Sequence, residues 1–194
     1  MESLINTIKQ LIPLSAEEEI ITKNLFTELN LKPGEYLLRD GQVCKHVAFI
    51  NKGLVRYFIN NEGDERTMFF NKEGEFVCNY ISFLPQVASD KNIQALEPTQ
   101  LYLISYEKLQ RFYREVAGAE KFGRMVIEQV FLSAIQQLDS LYTDPPEVRY
   151  QQFLTHYPDL IQRIPQYHIA SYVGIKPQSL SRIRKRIFGQ QSAD

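Results

Sequence analysis

The period of the apolar positions changes twice along the chain. From Leu4 to Leu29 they recur at helical spacing, and Ser15 followed three residues later by Glu18 predicts a capping box. From Leu31 to Ile104 the period shortens. EYLLRD, HVAFINKG, LVRYFIN, ERTMFF and QLYLIS are rich in β-branched and aromatic residues, and KPGE, NNEGDE and NKEGE punctuate them with glycine-bearing turns. So many short strands within about 75 residues predict an antiparallel jelly-roll β-barrel. After Ser105 the helical period returns, first in YEKLQRFYREV and then from Gly118 to Tyr142. On that longer helix Phe122, Met125, Gln129, Leu132, Gln136 and Asp139 follow steps of three and four, while Val126, Phe131, Ile135 and Leu138 widen the apolar face. Such breadth suits a helix with two apolar neighbours, its own barrel and a partner helix; burial within one chain would produce the same pattern.

TDPPEV ends the long helix, since consecutive prolines cannot continue one, and Pro145 or Pro146 can open the next, with Asp144 or Thr143 as cap. EVRYQQFLTHY reads as that helix, and PDLIQRIPQ as a turn with a short extended stretch. Gln166 to Arg186, QYHIASYVGIKPQSLSRIRKR, then reads as two short helices. Ala170 lets backbones approach, Gly174 takes a positive φ in the turn, and Leu180 and Ile183 clamp the second helix. Pro177 suits a first turn, so the second helix runs from about Pro177 to Phe188. Lys176, Gln178, Ser179, Ser181, Arg182, Lys185 and Arg186 are left off the packed face. Gln and Arg can bond bidentately to adenine and guanine edges, whereas Ser and Lys also suit phosphates. This is the pattern of a helix-turn-helix whose second helix is furnished for a major groove. A helical hairpin with basic residues complementing its C-terminal dipole would explain Arg184 to Arg186, but not the framework offsets.

Charge sharpens this picture. The 194-residue chain has a net charge of −1, yet from Arg163 onward six basic residues face Asp194 alone, a balance of +5 that leaves −6 for the rest. A basic module on an acidic body points to a local polyanion contact. Ordinary apolar and charged fractions, no basic-apolar leader and no apolar run near the ~18 residues of a membrane span make a cytoplasmic protein the expectation. The two cysteines, Cys44 and Cys78, form no C-x-x-C and adjoin no histidine pair, so no structural metal is expected and both read as small buried apolar residues, with redox sensing the lesser alternative.

The order of barrel, long helix and helix-turn-helix resembles the cyclic-AMP receptor and fumarate-nitrate regulator (Crp/Fnr) family of transcription factors over nearly the whole chain. LKPGEYLLRDGQ resembles the family's first strands, VAFINKGLVRYFINNEGDE its middle hairpin, GEF the opening of its ligand cassette, and ASYVGIKPQSLSRI its DNA-reading motif. The resemblance implies an α+β chain in three parts. These are a cyclic-nucleotide-binding-like sensor barrel with flanking helices (1–117), a dimerisation helix (118–142) and a C-terminal winged helix-turn-helix (143–194). It further implies a homodimer on a palindromic operator in double-stranded DNA, RNA polymerase as a partner, and regulation by a small effector. Pro177, Gln178 and Arg182 fall at the family's base-reading positions. Proline removes one contact, so Gln178 and Arg182 carry specificity, and Lys176, Ser179, Ser181 and Lys185 serve as phosphate contacts or caps.

The departures point away from cyclic AMP. After GEF the family's nucleotide binders carry a glycine–glutamate and then an arginine–serine pair; here those positions hold Cys78 and Asn79, then Ser89 and Asp90. No arginine meets a phosphate, Asp90 would repel it, and strand alternation would turn Lys91 to the opposite face. Phe76, Cys78, Asn79, Tyr80, Ser89 and Asp90 therefore form a candidate pocket for a different, unidentified effector, with no cofactor expected. Iron–sulfur sensing lacks its N-terminal cysteine cluster, while His46 leaves haem sensing open. An enzyme of the jelly-roll type needs converging histidines and a carboxylate, and of His46, His156 and His168 only the first lies in the barrel segment. The competing class is a ligand-sensing barrel that acts through protein contacts and carries a vestigial DNA module.

Overall fold

At the start of the chain the capping box forms as expected. Glu18 N–H donates to Ser15 Oγ (3.2 Å) and Ser15 N–H to Glu18 Oε2 (2.8 Å). The computed structural model describes residues 1–190, with side-chain surroundings through Ile187. Residues 191–194 of the expected DNA-binding segment, including Asp194, lie outside the described residues.

Two helices, α1 (Glu2–Lys9) and α2 (Ala16–Leu25), lead into β1 (Thr27–Leu31), β2 (Tyr36–Leu38), β3 (His46–Lys52), β4 (Val55–Asn61), β5 (Asp64–Asn71) and β6 (Phe76–Val77). A single turn, α3 (Tyr80–Phe83), precedes β7 (Asn92–Ala95) and β8 (Thr99–Ser105). Then come α4 (Tyr106–Glu115), α5 (Ala119–Thr143), α6 (Pro146–His156), α7 (Gln166–Val173) and α8 (Pro177–Gln190).

The strands form two antiparallel four-stranded sheets, in the orders β1-β8-β3-β6 and β2-β7-β4-β5. The expected barrel is thus a sandwich that does not close. β2 has three residues and β6 two, too few to bridge from one sheet to the other. Ala48, Phe49 and Ile50 of β3, Val55 of β4, Ile93 of β7 and Leu101 of β8 fill the interior without solvent exposure. Each large aliphatic or aromatic among them contributes about 1.5–3 kcal/mol by leaving water. Gly53, between β3 and β4, is the tightest backbone approach. Its φ is +102°, and a Cβ there would lie 2.7 Å from the Pro98 carbonyl oxygen.

Several expectations shift. The helical reading of Leu4–Leu29 stops early because TELNL alternates exposed and inward positions and pairs with β8, from Thr27↔Leu103 to Leu31↔Thr99. β7 was not expected, since its short Asn-Ile-Gln-Ala run lacks a β-branched cluster. The cap of α6 is Pro145, not Asp144 or Thr143. Pro158–Ile164 folds as consecutive turns with no extended stretch. α8 runs to Gln190, the last described residue, so any wing after it lies outside the described residues.

Candidate nucleic-acid interface

The turn between α7 and α8 is built as its sequence requires. Gly174 caps α7 at φ +75°, and Ile175 N–H returns to the Ala170 carbonyl at 2.9 Å. Ala170 and Leu180 are fully buried, and Ile183 is nearly so, in one cluster with Ile169, Val173, Tyr150 and Phe153. Pro177 opens α8, where its missing N–H costs nothing. With Leu180 and Ile183 turned inward, Lys176, Gln178, Ser179, Ser181, Arg182, Lys185 and Arg186 are all exposed. Arg186 leans on Glu147 of α6 at 3.4 Å, whereas no pairing restrains Arg182 or Lys185 among the described residues. Helix positions i and i+4 share a face, so Gln178 and Arg182 stand one above the other.

The α7–α8 pair does not stand apart from the sandwich. Phe70 of β5 packs edge-on against Phe153 and Tyr157 and tilts against Tyr172, with centroid separations of 6.1, 6.4 and 5.6 Å. Leu54 joins the same buried cluster. Arg56 of β4, only 2% exposed, reaches into this seam. One guanidinium nitrogen donates to His168 Nδ1 of α7 (2.6 Å), and another donates to Glu65 Oε2 (2.5 Å) and Gln94 Oε1 (3.3 Å). Burial, reinforced by the Arg56 charge, lowers the His168 pKa to about 4, so the ring is neutral and its Nδ1 accepts. Ser171 of α7 accepts from Thr67 N–H (2.9 Å) and donates to the Glu65 carbonyl (2.8 Å). At the rim Arg163 pairs with Glu73 (2.8 Å) and Glu97 (2.6 Å), and Lys72 pairs with Asp159 (2.8 Å). No local pattern signals this seam, because Arg56 and His168 are far apart in the chain.

Phe122, on the first turn of α5, packs between Phe76 (5.8 Å) and Phe112 (6.2 Å). Further along, Val130, Phe131, Leu132, Ile135, Leu138, Leu141 and Tyr142 are exposed, Phe131 by 62%. Burial within one chain is therefore not the reason for this apolar surface. It is large for a protein face left in water.

Several side chains of the candidate effector pocket pack and bond with one another. Phe76 is engaged with Phe49 (5.1 Å) and Phe122. The buried Asn79 amide donates to Ser89 Oγ (2.7 Å), and Ser89 donates to the Lys91 carbonyl (2.9 Å). Lys91 does not turn away from Asp90 as strand alternation suggested; its ammonium pairs with the Asp90 carboxylate, because Asp90 and Lys91 precede β7 in irregular backbone. The two cysteines, isolated in sequence, meet in space. Their sulfurs are 3.8 Å apart beside the Asn79–Ser89 pair. His46 begins β3, half-buried, its pKa lowered by burial and by Lys45 and Lys108. Among the described residues no group of three His, Cys, Asp or Glu side chains is placed to hold a metal ion.

Residues 28–116 match the model of the cyclic nucleotide-binding domain family. Solved structures extend the likeness beyond the sandwich. A c-di-GMP-responsive global regulator, CLP of Xanthomonas campestris, is 16% identical, with a TM-score of 0.72 over 91% of this chain and 93% of its own. FixK2 from Bradyrhizobium japonicum gives 0.75 at 14% identity over 86% of each chain, and the catabolite activator protein of Thermus thermophilus 0.59 at 19% over 95% and 88%. At these identities the likeness is one of fold, and it takes in the long helix and the helices after it. No curated protein sequence matches.

Proposed function

We propose that the chain is a homodimeric, sequence-specific DNA-binding regulator of transcription, of the Crp/Fnr type, with a cyclic nucleotide-binding-like domain as its sensor. The observation that carries this reading is α8, where Gln178, Arg182, Lys185 and Arg186 are exposed while Leu180 and Ile183 are locked inward. Gln178 and Arg182 read base edges, and Lys176, Ser179, Ser181 and Lys185 hold phosphates. The exposed apolar stripe of α5 pairs with its copy, setting two recognition helices about 34 Å apart, one turn of DNA. The effector is not cyclic AMP. The cassette positions offer no arginine to a phosphate, and Asn79 and Ser89 are already engaged, Asn79 donating to Ser89 and Ser89 to the Lys91 carbonyl.

Selection of bound fragments from the source genome by the purified protein, at moderate salt, tests this. Enrichment of a palindrome with half-sites one turn apart supports it. Weak binding without sequence preference, both in buffer and with cell extract added, would favour a sensor that acts through protein contacts.

A further inference from the structure

We propose that Cys44 and Cys78 form an oxidisable dithiol, a modification site at which a hydroperoxide converts the two thiols into an intramolecular disulfide. Geometry is the first ground. The sulfurs lie 3.8 Å apart, although the residues sit in a loop before β3 and at the end of β6. A shift of about 2 Å brings them to bonding distance. Access is the second. Cys44 is buried, but Cys78 is partly exposed, so a small oxidant reaches the pair from solvent. Chemistry is the third. The Cys44–Cys78 contact, with backbone N–H groups nearby, lowers the Cys44 pKa to about 7, while the same contact and burial raise that of Cys78. One proton is therefore lost from the pair near neutrality, leaving a thiolate beside a thiol. No third ligand accompanies them among the described residues, so a closed tetrahedral metal site is not what the pair builds.

The reaction balances without a further reagent. A thiolate of the pair attacks the peroxide O–O bond, forming a sulfenic acid and releasing the other oxygen as water or an alcohol once protonated. The second sulfur then attacks the sulfenic sulfur, its S–O bond breaks, and a water leaves. Two electrons pass from the two sulfurs to the peroxide.

The surroundings carry the change outward. Cys44 N–H donates to Ser82 Oγ at 2.9 Å, which ties its loop to α3, and Phe83 of α3 packs on Tyr106 of α4 at 5.7 Å. Two residues before Cys78, Phe76 packs on Phe122 of α5. Closing the disulfide pulls on both contacts, and hence on the helix that joins sensor to reader. A change in operator affinity on oxidation rests on the proposed function; the disulfide itself does not.

The test treats the reduced full-length chain with stoichiometric hydrogen peroxide, then counts alkylatable thiols and measures intact mass under denaturing conditions. The expected result is loss of both thiols with a mass decrease of two hydrogens in the monomeric chain, reversed by dithiothreitol. In Cys78→Ser, at a partly exposed position, the remaining thiol should give a trappable sulfenic acid and no intramolecular bond. Two alkylatable thiols after a dose that oxidises free cysteine, a mass gain of oxygens only, or a disulfide solely between chains would each overturn the proposal. Operator binding is then compared between the two redox forms. Disulfide formation with unchanged DNA affinity removes the regulatory consequence while leaving the site in place.

Discussion

His168 shows how one side chain ties stability to pH. Folding lowers its pKa from the ordinary value of 6.5 to about 4, so below pH 6.5 the unfolded chain takes up the proton first. Its contribution is complete above that value and is lost as the pH falls towards 4. Denaturant titrations should show about 2 kcal/mol less stability at pH 5 than at pH 7 from this group, and His168→Gln, whose amide oxygen can still accept from Arg56, should flatten that slope. Arg182→Ala should cost about 1–3 kcal/mol of discrimination between operator and random DNA, with an unchanged melting temperature because Arg182 is exposed. Competition binding at fixed salt measures the first and calorimetry the second. The framework behind Arg182 is legible in the sequence because Ala170, Gly174, Leu180 and Ile183 lie within one short segment whose offsets state the turn. Arg56 with His168, and Cys44 with Cys78, are not legible. Each pair is made by the fold between distant segments, and neither member stands in a local pattern.

Among the elements, α5 has most to explain. Its first turn is anchored by Phe122, and its middle presents apolar residues left exposed among the described residues. Phe131→Glu should leave the monomer's stability within about 0.5 kcal/mol of the parent while shifting sedimentation from dimer towards monomer. If α5 is the dimer contact, palindrome affinity should fall with dimerisation, since each half-site alone binds weakly. The breadth of the helix's apolar pattern was readable from its sequence, but which part meets the sandwich and which meets water was not. That partition depends on where β6 delivers Phe76. The short strands show the same limit: β6 and β7 are defined by their partners β3, β2 and β4 more than by their own two and four residues.

At the scale of the whole molecule, the sandwich and the C-terminal helices share a core. Phe70 and Leu54 belong to the sandwich, yet their neighbours are Phe153, Tyr157 and Tyr172. Phe70→Ala should cost about 3–5 kcal/mol and lower the stability of both parts together, seen as one transition displaced intact in fluorescence and circular dichroism. A fragment of residues 143–190 should show no cooperative melt, because the aromatic lid of its core stays with the other part. The seam also covers the outer edge of β5, where Thr67 N–H and the Glu65 and Met68 carbonyls bond to Ser171 and Gln137 instead of another strand. An uncovered strand edge is a template for other strands. Any state in which the C-terminal helices swing free therefore bares an adhesive margin, and mild acid, by charging His168 against Arg56, should turn a monodisperse solution into one whose light scattering grows with protein concentration.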